Sequence, residues 1–330
     1  MKWTELEKKQ LIIFVLTAFG LPVLMGILMG YSYFQGNDVT TFPNAQMYYP
    51  AAGVMLAFFL AGDKEKSLPK RYYIGFLGTT VVMMLIAVFS VFTPQFIWAV
   101  YGQFPIPILS IVCLILLLTE KKEVRGEYGL RFVGKKKGGS WLCILLFLAL
   151  YILRLFLSCL LEGEMNMFMD VFKNPMTYIT IVCLLPNFFL VFTAFFGEEY
   201  GWRFFFQPLL QKRFGLKGGV LILGVLWGLW HLPINIFFYS PDTWLISVVL
   251  QIITCISLGV FFGYGYSKTG NIWVPVAMHF LNNNMIAVVT GSADISNQVY
   301  RLIDIPLTLL VDLIFIVFIF SKEYREKKAS

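Results

Sequence analysis

Apolar residues fall in long uninterrupted runs along this chain, and short polar stretches separate one run from the next. A bilayer core about 30 Å thick needs about 20 apolar residues in one helix, and the sequence supplies such stretches one after another. The approximate bounds of these stretches are 11–31, 47–62, 73–92, 97–119, 141–161, 177–196, 218–238, 243–266, 272–290 and 305–320. We therefore expect an all-α, polytopic transmembrane helix bundle of about ten spans, embedded in a lipid bilayer.

The composition supports this class, because 58% of the 330 residues are hydrophobic and only 14% are charged. A net charge of +7 could indicate a nucleic-acid partner, but the basic residues are spread among short loops rather than gathered on one soluble module. We expect no nucleic-acid binding. The five cysteines lie inside predicted helices without CxxC spacing, so no disulfide framework or zinc cluster is predicted.

Nearly all Lys and Arg residues fall on one side of the predicted bundle. They precede the first apolar run, follow the second, and crowd the loop between positions 121 and 137. The opposite side holds Lys173 and Arg301, and Arg154 lies within a run. By the positive-inside rule both termini are expected in the cytoplasm. The asymmetry also favours an even number of spans, since one extra or missing helix would invert every later loop.

The longest polar interruption is the basic loop at residues 120–140, and it is the best internal boundary. It divides a four-span N-terminal region, residues 1–140, from a six-span C-terminal region, residues 141–330. Ionisable side chains at membrane depth concentrate in the second region, where they are functional candidates. They are Arg154, Glu198, Glu199, Arg203, His231, His279 and Asp312.

Two adjacent carboxylates, Glu198 and Glu199, stand at the end of one apolar run. Neighbours on a helix diverge by about 100°, so the two side chains face different surroundings. Glu199 and Arg203 stand four residues apart and can pair within one helix, which leaves Glu198 free to face the interior of the bundle. The plainer alternative is an interfacial charge cluster ahead of an amphipathic segment.

The chain contains only two histidines, His231 and His279, and both lie inside apolar runs. A buried histidine needs a polar neighbour or water, and a single one is usually a packed structural residue. Two histidines, a carboxylate pair and Asn283, one turn after His279, are better explained by one shared polar chamber. The spacing alone is weak, because Asn235 also follows His231 by four residues.

A water held between a carboxylate and an imidazole can be deprotonated and directed at a peptide carbonyl. The resulting oxyanion needs donors, which an imidazole N–H beside an amide can supply. Glu198 and His231 suit the first task, and His279 and Asn283 suit the second.

These motifs, in this order, resemble the CPBP family of CAAX proteases and bacteriocin-processing proteins, also called Abi, whose pattern is EExxxR, FxxxH and HxxxN. The resemblance covers about residues 141–290, and Trp227 stands where the family usually has Phe. It implies an intramembrane endopeptidase in which the carboxylate and the first histidine bind the attacking water, while the second histidine and the asparagine stabilise the oxyanion. Glu199, Arg203 and Trp227 would support these groups.

Metal dependence is the main alternative within this reading, because Glu198, His231 and His279 form a known type of zinc ligand set. The spacing is not the helical HExxH, and a Glu-activated water needs no metal, so no cofactor is favoured. Depth is a second question: His231 lies 14 residues into its run, about 21 Å along a helix, whereas Glu198 lies near an edge. A tilted helix, or one running past Phe196, would have to close that gap.

The expected substrates are peptides or membrane-anchored protein tails. The family allows peptide or bacteriocin maturation, self-immunity and CAAX-type processing, and the sequence does not choose among them. It also leaves the oligomeric state open. A catalytically silent membrane scaffold is the first alternative, and a proton-coupled transporter using the same Glu and His residues is the second.

Other intramembrane features have structural explanations. The GxxxG patterns at Gly224 and Gly228 and at Gly259 and Gly263 are typical of close helix packing. Arg154 can pair with Asp312 or face the chamber.

Overall fold

The computed structural model describes residues 2–63, 65–134, 137–292 and 294–325, and these residues form helices and connecting loops without any strand. The all-α prediction is confirmed. Several lysines of the basic-loop pattern, namely Lys64, Lys135, Lys136, Lys327 and Lys328, lie outside the described residues.

The helices are numbered here in chain order. They are α1 Glu5–Phe34, α2 Thr41–Gln46, α3 Tyr49–Ala61, α4 Lys70–Phe92, α5 Trp98–Thr119, α6 Lys122–Glu127, α7 Gly138–Glu162, α8 Met165–Lys173, α9 Pro175–Phe214, α10 Leu216–Trp230, α11 Leu232–Tyr239, α12 Pro241–Thr269, α13 Trp273–Thr290 and α14 Asp304–Ile316. Single turns of tighter helix follow α14 at Val317–Phe320 and Lys322–Tyr324.

Every apolar run of the sequence forms helix, but not every helix is a full-length span. Among the described residues, six helices are long and apolar enough to cross a membrane: α1, α4, α5, α7, α9 and α12. A seventh crossing is formed if α10 and α11, which meet at a bend of 41°, count as one broken span. Helix α3 has 13 residues and spans only about 20 Å. Helix α13 is continuous, but three consecutive asparagines interrupt its apolar sequence.

Helix α9 is much longer than its apolar run. It begins after Asn174, whose side chain accepts a hydrogen bond from the Met176 N–H, and it places Pro175 in the first turn, where a missing N–H costs nothing. It then runs past Phe196 for 40 residues in all, with a π-helical stretch at Tyr200–Phe206. Such a stretch inside an α-helix often marks a functional site.

The chain reverses direction at Gly215, which adopts a φ of 79° that favours glycine. Helix α10 therefore returns antiparallel to α9, and Gly219 lies directly against the backbone of Gln211. Glu198 lies about 24 Å before the end of α9, and His231 lies about 22 Å from the start of α10, at 1.5 Å per residue. Because α9 continues beyond Phe196, Glu198 and His231 lie at about the same distance from the turn at Gly215. The difference in depth that hydropathy suggests is therefore absent.

The two GxxxG glycines of α10 pack as predicted. A methyl group on Gly224 or Gly228 would collide with the backbone of Ile256 or Ile252 in α12, so only glycine permits this approach.

Arg154 of α7 pairs with the fully buried Asp312 of α14, at 2.8 Å from Nε to Oδ1. It therefore stabilises a helix contact away from Glu198 and His231.

The regions on either side of the basic loop are in contact, as the hydroxyls of Tyr73 and Tyr200 show at 2.7 Å. The division at residue 140 stays a prediction.

Candidate active site

His231 lies at a break between two helices, and this break determines how its imidazole is held. Pro233 has no N–H, and its ring clashes with the preceding helical turn, so the regular helix ends at Trp230. The His231 N–H bonds to the carbonyl of Gly228 rather than to that of Trp227, four residues back. The Trp227 carbonyl accepts instead from the imidazole, at 2.8 Å from Nδ1.

This bond sets the tautomer of His231. A carbonyl oxygen can only accept, so Nδ1 must carry the proton, and the neutral ring keeps its lone pair on Nε2. The side chain is buried and rigidly placed, with the Trp230 ring perpendicular to it at 4.9 Å between centroids. His231 is therefore prepared to accept a proton or to orient a water through Nε2.

Glu198 is buried in the middle of α9, and two tryptophans hold one of its oxygens. Oε2 accepts a hydrogen bond from Trp227 Nε1 at 2.7 Å and a longer one from Trp202 Nε1 at 3.4 Å. Oε1 accepts no hydrogen bond from the side chains that the structure describes. One oxygen is thus fixed, and the other is available to a water or a substrate.

Glu199 faces a different set of partners, as the sequence predicts. Its Oε1 lies 2.8 Å from Nδ1 of His279, and its Oε2 lies 3.1 Å from Nε of Arg203. Glu199 and Arg203 have no exposed surface. The Glu199 carboxylate therefore links the imidazole of His279 to the guanidinium of Arg203.

Trp227 joins these groups into one cluster, which we call the Trp227 cluster and define as Trp227, Glu198, Arg203, His231 and His279. Besides its bond to Glu198, the indole ring lies 6.2 Å from the ring of His231 and 5.5 Å from that of His279. The guanidinium of Arg203 lies 4.4 Å above its face, in cation–π contact. Glu199 joins the cluster through its contacts with His279 and Arg203. The structure therefore brings together six of the seven predicted site residues, which are Glu198, Glu199, Arg203, Trp227, His231, His279 and Asn283.

Asn283 is the exception. It lies one turn after His279 on α13, but its side chain is exposed, and its Oδ1 accepts from Asn282 at 3.0 Å. No hydrogen bond joins it to the Trp227 cluster within the described part of the chain. Its role stays a prediction.

Asn235, the other asparagine at this spacing, is fully buried and structural. Its Nδ2 donates to the His231 carbonyl at 3.0 Å, and its Oδ1 accepts from Ser247.

Sequence reasoning missed two neighbours of the site. Trp202 stands four residues after Glu198 on the same helix face, a spacing that could have identified it as a partner. Gln46 donates to the carbonyl of Trp230 from 184 residues away, and no local pattern indicates this contact.

Within the described ranges, no three His, Cys, Asp or Glu side chains converge closely enough to hold one ion. An oxygen engages Nδ1 of each histidine, so Nε2 is the nitrogen through which either ring would bind a metal. Metal independence stays a prediction.

Comparison with known proteins supports the family resemblance. Residues 180–285 match the family model described as type II CAAX prenyl endopeptidase Rce1-like, and this range contains every predicted site residue. A curated relative, CAAX prenyl protease 2 of Methanococcus maripaludis, is 25% identical over 173 residues, which cover 50% of this chain and 62% of the relative. No solved structure gives a significant match. The family match and the apolar helices together support the resemblance seen in the motifs: this is an integral, multi-pass membrane protein in which residues 180–285 are similar to the Rce1-like CAAX prenyl endopeptidases.

Proposed function

We propose that the protein is an intramembrane endopeptidase whose attacking water is activated by Glu198 and His231. The observation that carries this proposal is the Trp227 cluster, in which Trp227 contacts both a buried carboxylate with one unbonded oxygen and an imidazole whose Nε2 has no hydrogen bond to the described residues.

In the proposed reaction, Glu198 takes a proton from water while Nε2 of His231 orients that water. The hydroxide adds to the peptide carbonyl carbon, and the tetrahedral intermediate collapses as Glu198 returns the proton to the leaving nitrogen. The products are a carboxylic acid and an amine, which exchange one proton to become a carboxylate and an ammonium group, so atoms and charge balance without a co-reactant.

We assign the developing oxyanion to His279, with Asn283 as the second donor. Nδ1 of His279 lies 2.8 Å from Oε1 of Glu199, so Nε2 is the ring nitrogen that would face the oxyanion.

We infer that the substrates are membrane-anchored protein tails or peptides, because the cluster lies within apolar helices. The relative is named a CAAX prenyl protease, so prenylated CAAX ends are the first substrates to test. Bacteriocin-like peptides are the second class of substrates in the same screen, which tests a role in their maturation or in self-immunity toward them. We also propose that both termini lie in the cytoplasm, because the basic residues concentrate in the loops on the same side of the bundle as the termini.

The test is cleavage by detergent-purified protein of a fluorogenic peptide library that includes farnesylated CAAX ends, with products mapped by mass spectrometry. Internal cleavage that survives a zinc chelator supports the proposal. Activity that is lost on chelation and restored by zinc would indicate a metalloprotease instead. The absence of any product would favour a scaffold, and pH-gradient-driven uptake into sealed vesicles without cleavage would favour a transporter.

A further inference from the structure

We propose that residues 46–50 of the N-terminal region are a positioning element for the active site, because they contact both helices that carry the water-activating pair. Residues 46–50 lie outside the range matched by the family. The inference rests on the proposed function, since it assigns these residues to the geometry of the same Glu198 and His231.

The first contact is at the His231 end. Gln46, which is almost fully buried, donates from Nε2 to the carbonyl of Trp230 at 2.8 Å. Trp230 is the last residue of α10, where the helix loses its regular hydrogen bonds and a carbonyl needs an outside donor. The N-terminal region also accepts from the Trp230 indole, at 2.7 Å to the carbonyl of Ala18. Trp230 is thus held at two points, immediately before His231.

The bent segment after His231 is held by the same region. A methyl group on Gly26 would collide with Pro233, and one on Gly30 would collide with the ring of Phe237. Helix α1 therefore lies against the break itself, so the break is braced on its outer side.

The second contact is at the Glu198 end. A methyl group on Gly197 would collide with the carbonyl oxygen of Met47, and one on Gly201 would collide with Pro50. These two glycines bracket the carboxylate pair on α9. Their missing side chains let the start of α3 approach the backbone of α9 directly.

Residues 46–50 therefore contact both parts of the site. Gln46 contacts the end of α10 before His231, and Met47 and Pro50 contact α9 beside Glu198. A displacement of this segment would change the separation between the Glu198 carboxylate and the His231 imidazole. A misplacement of about 1 Å at reacting groups can cost roughly 100-fold in rate, even when the change is remote from the chemistry. Gln46 is accordingly a positioning residue, and it touches no substrate.

The first variant is Gln46→Met, which keeps the length and burial of the side chain but removes the donor. Measured with the library peptide that the wild type cleaves best, kcat is expected to fall roughly 10- to 100-fold while KM changes by less than about twofold. If Gln46 had only a structural role, the variant would give less folded protein, but kcat of the folded fraction would not fall relative to KM.

The second variant is Gly197→Ala, which pushes α3 and α9 apart. Its matched control is Gly78→Ala in α4, where an added methyl group meets nothing within 4 Å. We expect a similar fall in kcat for Gly197→Ala and none for Gly78→Ala.

A readout independent of cleavage is the ring ¹⁵N spectrum of the two histidines, assigned with a His279→Gln variant. The wild type should show His231 as the Nδ1–H tautomer, and Gln46→Met should shift it toward a mixture. If the wild type cleaves nothing, the proposed function fails, and this spectrum still tests the positioning. Unchanged kcat in both variants, or an unchanged His231 spectrum in Gln46→Met, overturns the inference.

Discussion

Replacing Trp227 by Phe should slow peptide cleavage, because Trp227 supplies the shortest hydrogen bond to the Glu198 carboxylate. The indole donates to Oε2 at 2.7 Å, inside a cluster with almost no exposed surface. A hydrogen bond to a charged group contributes about 1.5–3 kcal/mol. At about 1.4 kcal/mol per tenfold, its loss corresponds to a fall in kcat of roughly 10- to 100-fold. Phe keeps an aromatic ring facing both histidines, so His231 and His279 stay packed.

The matched control is Trp202→Phe. Trp202 donates to the same oxygen, but at 3.4 Å, and it is equally buried. The same chemical change therefore removes a much weaker bond to the same acceptor, and kcat should fall by less than about fivefold. The assay is single-turnover cleavage of the best library peptide by both variants in detergent, after thermal melts confirm that each is folded.

Equal losses in the two variants would refute this reasoning, since they would indicate a packing effect rather than a specific bond to Glu198. Full activity of Trp227→Phe would do so as well. It would mean that the phenylalanine usual in the family suffices here and that the indole N–H is dispensable.

Three further predictions follow from the contacts of individual side chains. Glu199→Gln leaves the guanidinium of Arg203 buried without its charge partner, which should lower the free energy of unfolding by about 3–5 kcal/mol. The variant should therefore melt in detergent well below the wild-type temperature, and adding Arg203→Met should recover part of the loss. Asn283→Ala should lower kcat by about 100-fold with KM unchanged if its amide meets the oxyanion, while an Asn282→Ala control stays within about twofold, as steady-state kinetics would show. Asp312→Asn should lower the melting temperature by unpairing Arg154, yet leave kcat of the folded fraction within about twofold, because this ion pair lies outside the Trp227 cluster.

The helical class and the main polar pairings follow from the sequence because they rest on local rules. Apolar runs of membrane length specify helices, and the i, i+4 spacing of Glu199 and Arg203 places them on one face, as the ion pair confirms. Hydropathy does not give the number of complete crossings, since short helices such as α3 are as apolar as full spans but only 13 residues long.

The contacts that hold the site depend on tertiary packing and are not readable locally. Hydropathy ends the sixth run at Phe196, although the helix continues to Phe214, because polar residues can stay helical when neighbouring helices bury them. The tautomer of His231 depends on a helix break at Pro233 that frees one carbonyl. The Gln46 bond joins residues 184 positions apart, and no sequence period records such a pairing.

The most direct test of the central claim is the single-turnover cleavage rate of Glu198→Gln, measured beside an exposed-site control, Glu5→Gln. Gln keeps the size of the side chain and an oxygen that can accept from Trp227, but it cannot take a proton from water. We expect a loss of about 100- to 10,000-fold for Glu198→Gln, since a general base is removed, and an unchanged rate for the control. A folded Glu198→Gln protein that cleaves within about tenfold of the wild-type rate would contradict the claim that Glu198 activates the water.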